Sequence, residues 1–174
     1  VRDWSSDVCS SDLALPICSV SKLLAPALRI GWLLVPAKYR DALVAAKRYA
    51  DLGNAALPQL VLAHLMETGE LERHLRFLRK RHVHRRDAMI TAITTHLPEA
   101  VVHGAAAGLH LTITLPADLA DTDLAAAALA RGVKVQPLSW HSQRPSQPGL
   151  VLGYAASTPT NMHTGIAALA TCLR

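Results

Sequence analysis

At 174 residues and 18.7 kDa the chain has room for one ordinary domain, and with 51% apolar and 18% charged residues it is neither disordered nor an acidic tail. No run reaches the ~18 apolar residues of a membrane span, because Arg29 interrupts Leu23 to Val35, and a net charge of +5 (18 Lys+Arg against 13 Asp+Glu) is too mild to name a partner. Cys9, Cys18 and Cys172 show no paired spacing, which argues against a disulfide framework or a Cys-based zinc site and leaves reduced cytosolic thiols as the expectation.

Val1 to Leu13 (VRDWSSDVCSSDL) is Ser/Asp-rich and aperiodic, without the basic-then-apolar order of a signal peptide. With no Met ahead of it, it reads as a translated sequencing-adapter remnant rather than an ordinary disordered leader. Leu15 to Cys18 and Ile30 to Val35 are short apolar runs with the signature of buried strands, the second closed by Pro36. A helix is predicted over about Ala37 to Ala50, stopped by Gly53-Asn54. The next carries Pro58 in its first turn and ends near Gly69.

The longest predicted element runs from about Glu70 to His96. Leu71, Leu75, Leu78, Met89 and Ile93 make its apolar stripe, and Arg73, Arg76, Arg79, Lys80, Arg81, Arg85 and Arg86 take the other face. That basic run lacks aromatic interleaving and reads as a solvated helix face rather than a nucleic-acid surface. His82 falls on the apolar stripe as a packed residue. His82-x-His84 cannot place both rings on one helix face, so no metal site is indicated.

Beyond Pro98 strands and helices alternate. Strands are predicted at Ala100 to His103 and at Leu109 to Leu115, the second alternating apolar and polar residues as a half-covered sheet requires. Gly108-Leu109-His110 reads as a turn into that strand. Asp121/Thr122 should cap an alanine-rich helix reaching Ala130. Val133 to Pro137 and Leu150 to Tyr154 read as strands, His141 to Gly149 as a loop, and Thr158-Pro159 as the start of a last helix to about Leu173.

Chemistry concentrates in Ser19-Val20-Ser21-Lys22-Leu23-Leu24-Ala25-Pro26-Ala27-Leu28-Arg29-Ile30-Gly31. A lysine sits in a polar loop between two expected strands, flanked by two serines, with an arginine seven residues on. A lysine buried near apolar walls has a lowered pKa, and its neutral amine can condense with a carbonyl cofactor. Serine hydroxyls and a guanidinium fork are what a phosphate needs beside it. Ser19-x-x-Lys22 also spells the acyl-enzyme motif of penicillin-binding proteins, but the S-D-N and K-T-G strings that motif requires do not occur. Cys18 has no His/Asp arrangement around it and reads as a small buried residue.

The form SxSKxxxPxLRxGW resembles the lysine segment of fold-type I pyridoxal 5'-phosphate (PLP) proteins, the aspartate-aminotransferase superfamily, and most of all its MocR/GntR group of transcriptional regulators. Gly69-Glu70-Leu71-Glu72-Arg73-His74-Leu75-Arg76, Arg85-Arg86-Asp87-Ala88, Ala107-Gly108-Leu109-His110-Leu111, Arg131-Gly132-Val133 and Leu152-Gly153-Tyr154-Ala155 fall in the family's order. The resemblance covers Leu15 to Arg174. It implies an α/β to α+β fold: residues 14–68 as the C-terminal part of the PLP-binding large domain, and residues 69–174 as a long linking helix plus a small α+β domain. It implies PLP as cofactor, with Lys22 as the catalytic, imine-forming lysine, Ser19 and Arg29 as phosphate ligands, and Ser21 as an additional one.

Two departures accompany the resemblance. The superfamily's other cofactor contacts precede the lysine and have no counterpart here, so the chain is expected to be inactive alone and to leave apolar strand faces around Ile30 to Val35 uncovered. Val151 or a neighbour stands where many aminotransferases carry a substrate-carboxylate arginine. Two readings therefore stand: a MocR-type regulator sensing PLP or its amine adduct, or a free-standing aminotransferase acting on an amino acid. An inert structural remnant is a third, weaker one. The implied partners are an amino acid or amine and, for the intact protein, a second copy of itself. DNA contact is expected only through a winged-helix domain absent here, membrane contact is not expected, and the location is cytoplasmic.

Overall fold

The computed structural model describes residues 17–105, 108–116, 119–144 and 146–173; the readings of Val1 to Leu13 and of Leu15 lie outside the described residues. The chain forms two compact units that divide within one long helix, between Leu78 and Arg79.

In the first unit, β1 (Ile17–Ser19) pairs antiparallel with β2 (Gly31–Leu33), placing Cys18 opposite Trp32 and Ser19 opposite Gly31. A 3-10 turn at Pro26–Leu28 lies between them. Helices α1 (Ala37–Asp51) and α2 (Ala56–Glu67) follow, and α3 (Glu70–His96) begins. The expected buried strands are exposed: Ile17 is 79%, Trp32 43% and Leu33 44% accessible. Their composition is that of strands covered on both faces, but among the described residues this sheet has two strands, and neither α1 nor α2 contributes a buried residue. The uncovered apolar faces expected at Ile30 to Val35 are therefore present at Trp32 and Leu33.

The second unit owes its shape to an antiparallel sheet in the order β3 (Val101–His103), β4 (His110–Thr114), β6 (Gly149–Gly153), β5 (Gln136–Pro137). Leu111 and Ile113 of β4 and Leu150 and Leu152 of β6 are buried, while His110 is exposed, which is the expected alternation. Three helices contribute to the same core: α3 through Met89, Ala92 and Ile93, with Leu97 just beyond its end, α4 (Asp121–Ala130) through Leu124, Ala125 and Ala128, and α5 (Pro159–Ala170) through Met162, Ile166 and Leu169. Removing one such large side chain costs about 2–5 kcal/mol.

Gly149 is required where it stands, because a Cβ there would lie 2.2 Å from the Ile113 carbonyl oxygen. Thr158 caps α5 as expected, its hydroxyl accepting from the Asn161 amide at 3.2 Å with Pro159 in the first turn. Only Gln136–Pro137 of the strand expected over Val133 to Pro137 joins the sheet. Val133 and Val135 are apolar because they pack on the core, not because they pair.

Asp121 departs from its expected role. Ala120 occupies the N-cap of α4, with no side-chain cap. The Asp121 carboxylate is turned inward instead, 5% accessible, and accepts from the Ser139 hydroxyl (2.7 Å), the Ser139 amide (3.0 Å) and the Gly149 amide (3.2 Å). One side chain thereby ties α4 to the 3-10 turn Leu138–His141 and to the start of β6. Burial alone would raise its pKa; the hydrogen bonds from Ser139, Gly149 and Thr122 outweigh that and hold it below the ordinary carboxylate value.

Two predictions follow from this packing. Asp121→Asn should lower stability by about 1–3 kcal/mol at pH 7. Because the folded carboxyl titrates below its unfolded value, that contribution is complete above about pH 4 and fades as pH falls through the folded value. Denaturant titrations should therefore show the gap between wild type and variant narrowing below pH 4; a gap that does not change with pH would contradict the assigned role. The 174-residue chain should also bind a hydrophobic dye and self-associate through its uncovered ribbon, and Trp32→Ser with Leu33→Lys should reduce both. A monodisperse, dye-silent wild-type chain would contradict that.

Candidate functional site

The chemistry-bearing segment is a turn with one buried anchor. Val20 is 2% accessible. Its amide donates to the Ile30 carbonyl (3.2 Å), and its carbonyl accepts from the amides of Leu23 (3.0 Å) and Leu24 (2.8 Å). These bonds close the turn that carries Ser21 and Lys22 and join it to the residue before β2. His74 on α3 adds a tether, its Nε2 lying 3.0 Å from the Leu23 carbonyl oxygen. Val20 and His74 are supports that the motif did not single out. A buried valine between two serines carries no chemical signal, and His74 lies 51 residues beyond its partner.

Ser19 and Ser21 are brought together: their hydroxyls lie 2.8 Å apart, and the Ser21 amide donates to Ser19 Oγ at 3.1 Å. Arg29 ends the 3-10 turn in the left-handed region at φ 53°, its amide donating to Pro26 at 3.3 Å. A non-glycine residue there costs roughly 1–2 kcal/mol, a strain the surrounding turn must hold. Arg29 is exposed and borders an open cleft of about 1140 Å³, whose wall also includes Val20, Leu23, Trp32, Leu62 and Met66.

Lys22 differs from the sequence expectation. Its side chain is exposed on the turn, not buried among apolar walls, and it is not part of the cleft's lining. The sheet that carries this turn has two strands and no further one among the described residues. Cys18 is half-buried.

The donor set fits a phosphorylated aldehyde. One segment carries two hydroxyls and a permanently charged guanidinium that could bind a phosphate, and a primary amine that could react with an aldehyde. No group of three His, Cys, Asp or Glu that could hold a metal occurs among the described residues.

The remaining candidates behave as structural residues. His82 is half-buried, and its pKa is lowered first by that burial and then by the neighbouring Arg81 and Arg85 charges, which suits a neutral packed imidazole. Several of the α3 cations are engaged locally. Arg73 pairs with Glu70 (3.2 Å), Arg76 with Glu72 (3.3 Å) and Arg86 with Asp87 (2.7 Å), and Arg85 donates to the Ala155 carbonyl. Gly108 takes φ 107° in the turn before β4, and the Tyr154 hydroxyl donates to its carbonyl at 2.6 Å. Val151 sits in β6 opposite Thr112 and Gln136. No helix among the described residues is long and apolar enough to cross a membrane.

Comparison with known proteins agrees with this fold. The sequence matches the family described as aminotransferase class I and II over residues 14–169. It is 32% identical over 153 residues to the probable rhizopine catabolism regulatory protein MocR of Rhizobium meliloti, spanning 86% of this chain and 31% of that protein. The aromatic-amino-acid aminotransferase 1 of Thermococcus litoralis is 30% identical over 118 residues, covering 67% of this chain and 28% of that one. Among solved structures, a Pyrococcus horikoshii kynurenine aminotransferase in complex with PMP superposes with a TM-score of 0.84 at 27% identity, over 91% of this chain and 40% of its own. The chain thus spans about a third of the length of the curated relatives it matches. By sequence and by fold, the chain belongs to the aminotransferase class I and II family, of whose fold it forms a part.

Proposed function

We propose that the chain is the C-terminal part of a PLP-binding, aminotransferase-like domain whose cofactor is held by Lys22, Ser19, Ser21 and Arg29. The observation that carries this reading is the pinned turn at Val20. It presents an amine and two touching hydroxyls within one short segment that also holds Arg29, inside the region that matches the family. A Thermus thermophilus LysN structure complexed with N-(5'-phosphopyridoxyl)-L-leucine, with a TM-score of 0.77 at 26% identity, adds support for a pyridoxyl cofactor.

In this reading Ser19 and Ser21 donate hydroxyl hydrogens to phosphate oxygens, exchanging their mutual contact for the ligand. Arg29, which borders the cleft, supplies the permanent positive charge. The Lys22 amine is the nucleophile toward the cofactor's aldehyde and afterwards the group that moves a proton. When bound, PLP supplies an electron-withdrawing ring. Lys22 is exposed on its turn, so in this reading the apolar walls around its amine come from outside this chain.

For the intact protein we favour a MocR-type regulator that senses PLP or an amino-compound adduct. The relative named MocR and the HTH-type regulator YdfD of Bacillus subtilis align over more of this chain than the aminotransferase of T. litoralis does. Val151 also offers no charge to a substrate carboxylate. The second reading is a free-standing aminotransferase acting on an amino acid, favoured by the solved neighbours. Under either reading the protein works as a cytoplasmic homodimer; under the regulator reading alone, DNA contact belongs to a winged-helix segment ahead of this one.

The test is PLP titration of the natural protein that contains this sequence. An absorbance band near ~420 nm should appear with Lys22 in place and be absent in Lys22→Ala. Arg29→Ala should weaken PLP binding roughly 10- to 100-fold, the worth of a charge-assisted contact. Equal bands in wild type and Lys22→Ala would overturn the assignment.

A further inference from the structure

In the second unit, His96 in the last turn of α3 and His163 in the first half of α5 bring their Nε2 atoms to 3.0 Å. The ring centroids lie 4.4 Å apart at an interplanar angle of 77°. The two residues are 67 positions apart in the chain, so no local motif announces them. Their separation is set by the core. His96 is flanked by the buried Ile93 and Leu97, and His163 by the buried Met162 and Ile166, all four in one hydrophobic cluster. Packed helices thus fix the backbone positions from which both imidazoles extend, as a preorganised ligand pair requires.

Two nitrogens 3.0 Å apart, each about 2.1 Å from a common metal, subtend about 90° at it. That is the angle between neighbouring ligands in a tetragonal or octahedral shell and is narrower than a tetrahedral ion prefers. With His163 exposed and His96 half-buried, solvent reaches the pair and can fill the remaining positions. We propose that His96 and His163 form a two-imidazole site for a divalent transition-metal cation of the Ni²⁺ or Cu²⁺ type, with water completing the shell. The site is separate from the Lys22 turn and does not depend on PLP.

The test is calorimetric titration of Ni²⁺ into the full chain under reducing conditions. One equivalent should bind, and His96→Ala and His163→Ala should each weaken that binding at least tenfold, while His84→Ala leaves it unchanged. Ni²⁺ should also raise the melting temperature of the wild type and of His84→Ala but not of the other two variants. A readout that needs no variant is footprinting of the wild type with diethylpyrocarbonate: Ni²⁺ should protect His96 and His163 together and leave His110 and His141 reactive. No binding at millimolar Ni²⁺, unchanged affinity in His96→Ala and His163→Ala, or absence of paired protection would overturn the site.

Discussion

The first unit depends on one residue's backbone. Val20 is the buried residue of the segment from β1 through β2, and its amide and carbonyl together carry three hydrogen bonds that close the turn and bind it to Ile30. Without them, Ser19, Ser21, Lys22 and Arg29 would be four polar residues on a mobile loop. With them, an amine, two hydroxyls and a guanidinium project from one framed segment. Turn geometry, rather than burial, is what holds these groups in one segment.

The second unit is organised around a different buried constraint. Asp121 satisfies two backbone amides and one hydroxyl from segments 18 and 28 residues away, which fixes where β6 begins and how α4 lies on the sheet. The sheet and its three helices form a well-packed core around Leu111, Ile113, Leu150 and Leu169. The two units therefore differ in kind: one has its own core, and the other exposes large apolar side chains along β1, β2, α1 and α2.

Helical bounds were well legible because their signals are local. Gly69, at φ 71°, and Pro98 bracket the 27 residues of α3 as the pattern predicts, and Thr158-Pro159 opens α5. What escaped was long-range. Asp121 carries the ordinary signature of a helix cap, and only the position of Ser139 and Gly149 reveals its other use. Val133 and Val135 have strand composition but pack without pairing. Ile17 and Trp32 read as buried because their composition suits a covered sheet, yet exposure depends on which strands lie beside them. The Lys22 segment was legible as a motif, whereas the exposure of its amine was not. His96 and His163 show no periodicity or spacing that would connect them.

In the reading proposed above, Lys22 alone among the chain's five lysines takes the PLP aldehyde. The most direct measurement is borohydride reduction of the PLP-loaded natural protein followed by peptide mapping. A pyridoxyl label is expected on Lys22, with Lys38, Lys47, Lys80 and Lys134 unlabelled. A label distributed among those four, or confined to any of them, would contradict it.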